Sequence, residues 1–196
     1  MTKHVLWHVP EATSVEHFRL DPLDAGWALS GTVVMQVDAA PMTIQYLVRT
    51  DQRWRTEHVD ITIDSLTGRR GLSADVSDGS WRVDGSPRRD LAGALDVDLG
   101  WTPSTNTLPL RRLHQDVGDS TTLQAVWIRP GDFEPRLVRQ TYERIAESTW
   151  RYSSDGFSAD LTVDTDLLVT EYGTGLWRAV AAIEPAPCRV QPNIAS

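Results

Sequence analysis

A period-two alternation of apolar and polar residues recurs along this chain and restricts its fold more than any other feature. In HVDITID, Val59, Ile61 and Ile63 can face a core while His58, Asp60, Thr62 and Asp64 face outward. FSADLTVD repeats the arrangement, with Phe157, Ala159, Leu161 and Val163 set against Ser158, Asp160, Thr162 and Asp164. Further strands are expected at 15–20, 29–36, 43–50, 71–75, 81–84, 95–99, 123–128, 137–145, 167–172 and 177–181, where Val, Ile, Thr, Tyr and Trp are frequent. Turn signals punctuate them at Leu66-Thr67-Gly68, Ser77-Asp78-Gly79, Gly118-Asp119-Ser120 and Ser154-Asp155-Gly156. The pattern predicts an all-β protein built on an antiparallel sheet with hairpins.

One segment departs from it. In LDVDLGWTPSTNTLPLRRL (95–113), Thr102 can cap a short helix that has Pro103 at its first position, predicted over 103–108 before Pro109 disturbs it. A weaker regularity joins Trp54-Arg55 to Trp81-Arg82 and Trp150-Arg151 to Trp177-Arg178 at equal separations, so two related sheet halves are an alternative to chance in a Trp-rich chain.

With 196 residues and 40% apolar content the chain is long enough for one substantial core. A net charge of −8, with basic residues in isolated pairs, opposes nucleic-acid binding. Lys3 is the only lysine, so basic recognition falls to guanidinium groups. The single cysteine, Cys188, permits no intrachain disulfide, and the start MTKHVLWHVP lacks a long apolar stretch. A cytoplasmic location without an integral membrane segment is the expectation.

Strong catalytic motifs are missing from the sequence. There is no HExxH, no Cys/His ligand spacing, no glycine-rich phosphate loop and no G-x-S-x-G elbow, so neither a metal nor a cofactor is expected. Asp96 and Asp98 alternate on one strand and would project from the same face about 6.5–7 Å apart. That spacing approaches the roughly 6.5–9.5 Å separation of inverting glycosidases. A solvated strand face and ion pairs with Arg111 and Arg112 are the other readings. Asn106 and the hydroxyls of Thr102, Ser104, Thr105 and Thr107 either satisfy an irregular turn or read a sugar or phosphate at a cavity rim, with Arg111 or Arg112 as charged donors. Trp54, Trp101 and Trp127 are the indoles assigned to such a cavity, although each could equally serve a core.

The run Asp96-Val97-Asp98-Leu99, then Thr102-Pro103, Thr105-Asn106-Thr107-Leu108-Pro109 and Arg111-Arg112-Leu113, resembles the putative glycolipid-binding family. Supporting features are Trp54, Val126-Trp127 with Pro130 after it, Tyr142, Tyr152 and the block from Phe157 to Tyr172. Ser104 stands where an aromatic is expected, and the late loop keeps only Tyr172-Gly173-Thr174-Gly175-Leu176 of a Tyr-Pro-Gly-like ending. The resemblance implies a spiral β-roll, a long curved antiparallel sheet wrapped around a single helix, similar to lipoprotein carriers. Residues 1–183 would form this domain and 184–196 a C-terminal tail. It further implies noncatalytic binding of a glycolipid or other amphiphile, with acyl chains in the concavity and the head group at a rim of Asp96, Asp98, Asn106, Arg111 and Arg112. A carbohydrate-directed hydrolase or isomerase using Asp96 and Asp98, and an interaction module dimerising through a sheet edge, are the competing readings.

Overall fold

The computed structural model describes residues 1–183; the expected tail, with Cys188, lies outside the described residues. The first eight strands are β1 (Lys3–His8), β2 (Ser14–Leu23), β3 (Gly26–Val37), β4 (Ala40–Thr50), β5 (Thr56–Ser65), β6 (Gly68–Ser77), β7 (Ser80–Val83) and β8 (Ser86–Arg88). After a 3-10 turn at Arg89–Leu91 come β9 (Asp96–Leu99), a second 3-10 turn at Ser104–Asn106 and the helix α1 (Thr107–Leu113). The remaining strands are β10 (Ser120–Ile128), β11 (Arg136–Ala146), β12 (Thr149–Ser154), β13 (Phe157–Val163), β14 (Val169–Tyr172) and β15 (Trp177–Ile183).

All fifteen form one sheet, in the order β8-β7-β6-β5-β4-β3-β2-β1-β15-β14-β13-β12-β11-β10-β9. Every neighbouring pair is antiparallel except β9 with β10, which is parallel. This order forces curvature. Flat, fifteen strands at about 4.8 Å spacing would put the two edges well over 60 Å apart. Yet β8 and β9 are those edges, and the chain from Arg88 to Asp96 can span no more than about 28 Å. The sheet therefore rolls until its edges approach. Hydrogen bonds from Thr56 N to Leu95 O (2.9 Å), from Gly93 N to Gly79 O (2.9 Å) and from the Trp81 indole to Ala94 O (3.0 Å) hold the junction. The result is the spiral β-roll around one short helix that the resemblance implies.

The roll is filled by two apolar clusters. The larger draws on β1–β7, β9 and β10, with Trp7, Phe18, Leu29, Val33 and Ile44 fully buried. The smaller joins β11–β14 through Tyr142, Trp150, Tyr152, Leu161 and Tyr172. The helix reaches both, with Leu108 in the first and Leu110 in the second.

Two expectations need correction. Pro109 does not break the helix: it falls in the first turn, where an absent N–H leaves nothing unpaired. The helix instead ends where His114 takes a left-handed φ of 48°. Thr102 caps neither element: Pro103 precedes the 3-10 turn and Asn106 the helix, and the Thr102 hydroxyl instead accepts from Ser104 N at 3.1 Å. The four Trp-Arg pairs occupy unlike places: Trp54 sits in a turn with φ 63°, whereas Trp81, Trp150 and Trp177 lie in strands.

Candidate functional site

A cavity of about 360 Å³ opens between the inserted segment and the second half of the sheet. Strand β9 and the segment after it contribute Asp98, Leu99, Gly100, Thr102 and Asn106. Trp127 of β10, Tyr152 and Ser154 of β12, Asp155, Phe157 of β13, Tyr172 of β14, Leu176 and Trp177 complete the wall. The size lies within the range typical of small-molecule sites.

Local structure explains the arrangement. Asp98 and Trp127 are register partners in the parallel ladder, so their side chains leave the same face as neighbours. Gly100 is the residue that lets the indole lie where it does, since a Cβ there would stand 2.8 Å from Trp127 Nε1. Opposite, Tyr172 meets Trp177 edge-on at 5.4 Å and Phe157 nearly parallel at 6.5 Å. Phenols must keep their hydroxyls in reach of partners when buried, which spaces the rings.

Those partners form a polar network. Asp98 Oδ2 accepts from Gln140 Nε2 at 2.5 Å, and the Tyr152 hydroxyl points at the same oxygen from 3.5 Å. The Tyr142 hydroxyl donates to Asn106 Oδ1 at 3.0 Å. Burial pushes the Asp98 carboxyl up to about 6, against the opposing pull of the bonds from Gln140 and Tyr152. Tyr152 and Tyr172 are held protonated, chiefly by burial and then by the nearby Asp98 charge.

A second buried set lies behind Thr102. Glu16 of β2 accepts from the Tyr46 hydroxyl at 2.5 Å and from the Thr102 hydroxyl at 2.9 Å, while Ser104 Oγ is 2.8 Å from the Tyr46 oxygen. Burial drives the Glu16 carboxyl up to about 8 despite these bonds. Tyr46 reaches it because its ring crosses Gly31, its register partner on β3, where a Cβ would stand 2.4 Å from the ring.

The structure divides the residues expected at the site. Asp98, Asn106 and Trp127 line the cavity. Asp96, Arg111, Arg112, Trp54 and Trp101 are not among its lining residues. Asp96 is buried in an ion pair with Arg112, and burial raises its carboxyl to about 6. Only one of the two alternating carboxylates therefore faces the cavity, and the expected polar rim of paired arginines is not formed there. Arg111, one helical position away from Arg112, points elsewhere: its guanidinium covers the Trp54 ring at 4.5 Å and donates to Asp166 O. Trp54 stacks on Trp27 at 4.7 Å, and Trp101 packs against Phe133 within the larger cluster.

Sequence reasoning missed Tyr152, Phe157, Tyr172, Leu176 and Trp177 as wall residues. The available signal was the crowding of aromatics between 150 and 177. Phe157 keeps the inward parity of FSADLTVD, but at the strand's first residue it stands beyond the core and remains exposed. Among the described residues, no group of three or more His, Cys, Asp or Glu is arranged to hold a metal ion, and no helix is long and apolar enough to cross a membrane.

Residues 4–179 match the family described as "Putative glycolipid-binding". A crystal structure of a DUF1089 family protein from Pseudomonas aeruginosa superposes with a TM-score of 0.76 at 30% identity, over 86% of this chain and 93% of that one. No curated protein matches the chain. With the family match spanning nearly all described residues and the fold shared, the chain belongs to the putative glycolipid-binding family.

Proposed function

We propose that this protein binds a glycolipid or related amphiphile without covalent chemistry, in the aromatic cavity between the insert and strands β10–β15. The observation that carries the reading is the cavity itself, in which aromatic walls converge on a carboxylate and a carboxamide from the Asp98–Asn106 segment. Rings of Trp127, Tyr172 and Trp177 offer flat apolar surface to a sugar ring or a chain. Asp98 and Asn106 supply the few placed polar groups that orient a ligand in such sites. The family's description supports the ligand class. A hydrolytic reading is weaker because Asp96, the second carboxylate it requires, is engaged by Arg112.

Native mass spectrometry of gently purified protein tests this directly. A copurified amphiphile, or saturable uptake of octyl β-D-glucoside, is the expected result. Repeated absence of both overturns the assignment. Trp127→Ala is expected to lower octyl glucoside affinity by tenfold or more, because the indole forms one wall.

A further inference from the structure

The polar groups of the insert lie deep in the cavity, among the buried Leu99, Tyr152 and Tyr172, while the exposed Asp155 shares the opening with apolar side chains. Thr102 and Asn106 are buried, at 4% and 5% exposure, and Asp98 lies beside them on β9. Phe157 and Leu176, at 45% and 37% exposure, stand at the opening, each next to a turn containing glycine. A carrier that swallows acyl chains is better served by the opposite order, with a greasy floor and placed polar groups at the rim.

Charge adds a second constraint. The lining side chains include two carboxylates, Asp98 and Asp155, and no Lys, Arg or His. The nearby cations are committed elsewhere: Arg112 to Asp96, Arg111 to Asp166 and Trp54, Arg178 to Glu171, and Arg129, 5.9 Å from the Trp127 ring, to Asp132. A phosphate or carboxylate head would find two carboxylates and no cation among the lining side chains. Hydroxyls of a sugar, by contrast, are donors that an ionised carboxylate and an amide oxygen accept, and charge-assisted bonds of this kind are the strong ones.

Building on the amphiphile reading above, we propose that the ligand enters head first: an uncharged, hydroxyl-rich head sits on Asp98 and Asn106, and its chain leaves past Phe157 and Leu176. The binder thus selects glycosides against anionic lipids and leaves most of the chain outside the cavity. Bound protein presents that chain beside two exposed apolar side chains.

Calorimetric titration of hexyl, octyl and decyl β-D-glucosides and of octanoate, each below its micelle concentration at pH 7.5, separates the possibilities. Head-first binding predicts glucoside affinities within about threefold of each other, octanoate at least tenfold weaker, and a loss of at least tenfold for the glucosides in Asp98→Asn. Tail-first binding predicts a rise of about fourfold per methylene, octanoate comparable to octyl glucoside, and indifference to Asp98→Asn; that outcome overturns the inference and leaves the amphiphile reading standing. Failure of every probe to bind overturns the inference and, where no amphiphile copurifies, the amphiphile reading with it. The chain-length series is run on the unaltered protein and decides orientation by itself.

Discussion

The two ends of the roll obey the same alternation and reach opposite outcomes. Across β1–β7 the inward positions are mainly Val, Ile and Leu with a few large rings, and they close into a dry cluster. Across β11–β14 half of them are Tyr or Trp, and a cavity remains beside them. Compact aliphatic side chains interdigitate at close-packed density and leave few voids. A phenol is long, rigid and tied at its tip to a partner, as Tyr142 is to Asn106 and Tyr152 to Asp98. Rigid rings meet at fixed angles and leave gaps that compact aliphatics would fill, and the cavity lies among Trp127, Tyr152, Phe157, Tyr172 and Trp177.

The contrast is broken most sharply by truncation on each side. Phe18→Ala, at a side chain with no exposure, should cost about 3–5 kcal/mol in urea unfolding. Tyr172→Ala removes a ring that already borders empty space and should cost clearly less, about 2 kcal/mol. Equal losses would show that the cavity side is packed as tightly as the other.

Between the two regions lies the Asp96–Arg112 pair. Arg112→Leu strands a buried carboxyl and should cost about 3 kcal/mol at pH 8. The deficit should shrink toward pH 5, since Asp96 is raised to about 6 even with its partner and takes up a proton more readily without it. A deficit constant from pH 5 to 8 would assign the loss to packing.

Glu16 is next in size. Its carboxyl goes from an ordinary 4.5 to about 8 on folding, so the folded state holds a proton that the unfolded state has lost over that range. This group's contribution is fully present below about 4.5 and is lost as pH rises toward 8, by up to about 1.4 kcal/mol per pH unit. Tyr46, Thr102 and Ser104 face it from β4 and from the insert; Tyr46, itself raised by burial, stays protonated throughout. Glu16→Gln should flatten the stability profile by that slope, measured by denaturation between pH 5 and 8; an unchanged slope would mean that Glu16 stays ionised in the fold.

Much of the first region was legible in the sequence because local rules decide it. HVDITID became β5 with Val59, Ile61 and Ile63 inside, and the hairpins fell at Leu66-Thr67 and Asp78-Gly79. Strands β1, β8 and β12 escaped notice: β8 is three residues with Pro87 at a sheet edge, and β12 is six residues whose alternation amounts to Trp150 and Tyr152 alone. The site was only half legible. Asp96 and Asp98 have the same parity, the same strand and the same chemistry, so nothing local separates them. What separates them is the reach of Arg112 from α1 and the placement of Gln140 and Tyr152 on strands 42 and 54 residues away. The parallel β9–β10 pairing, which sets Trp127 beside Asp98, likewise depends on the whole sheet having rolled.

Two glycines give the finest test, because each makes room for one ring and only one ring has space to yield. At Gly31 an added methyl would stand 2.4 Å from Tyr46 Cε1, inside the filled region, with the Tyr46 hydroxyl held by Glu16. Gly31→Ala should therefore cost about 1–3 kcal/mol through strain that nothing relieves. At Gly100 the methyl would stand 2.8 Å from Trp127 Nε1, but this half-buried indole borders the cavity and can shift into it. Gly100→Ala should cost less than about 1 kcal/mol in stability and instead fill part of the cavity, lowering octyl glucoside affinity severalfold at nearly unchanged Tm. Loss of stability with affinity intact would mean that Trp127 is as firmly wedged as Tyr46 and that the cavity gives its wall no room to yield.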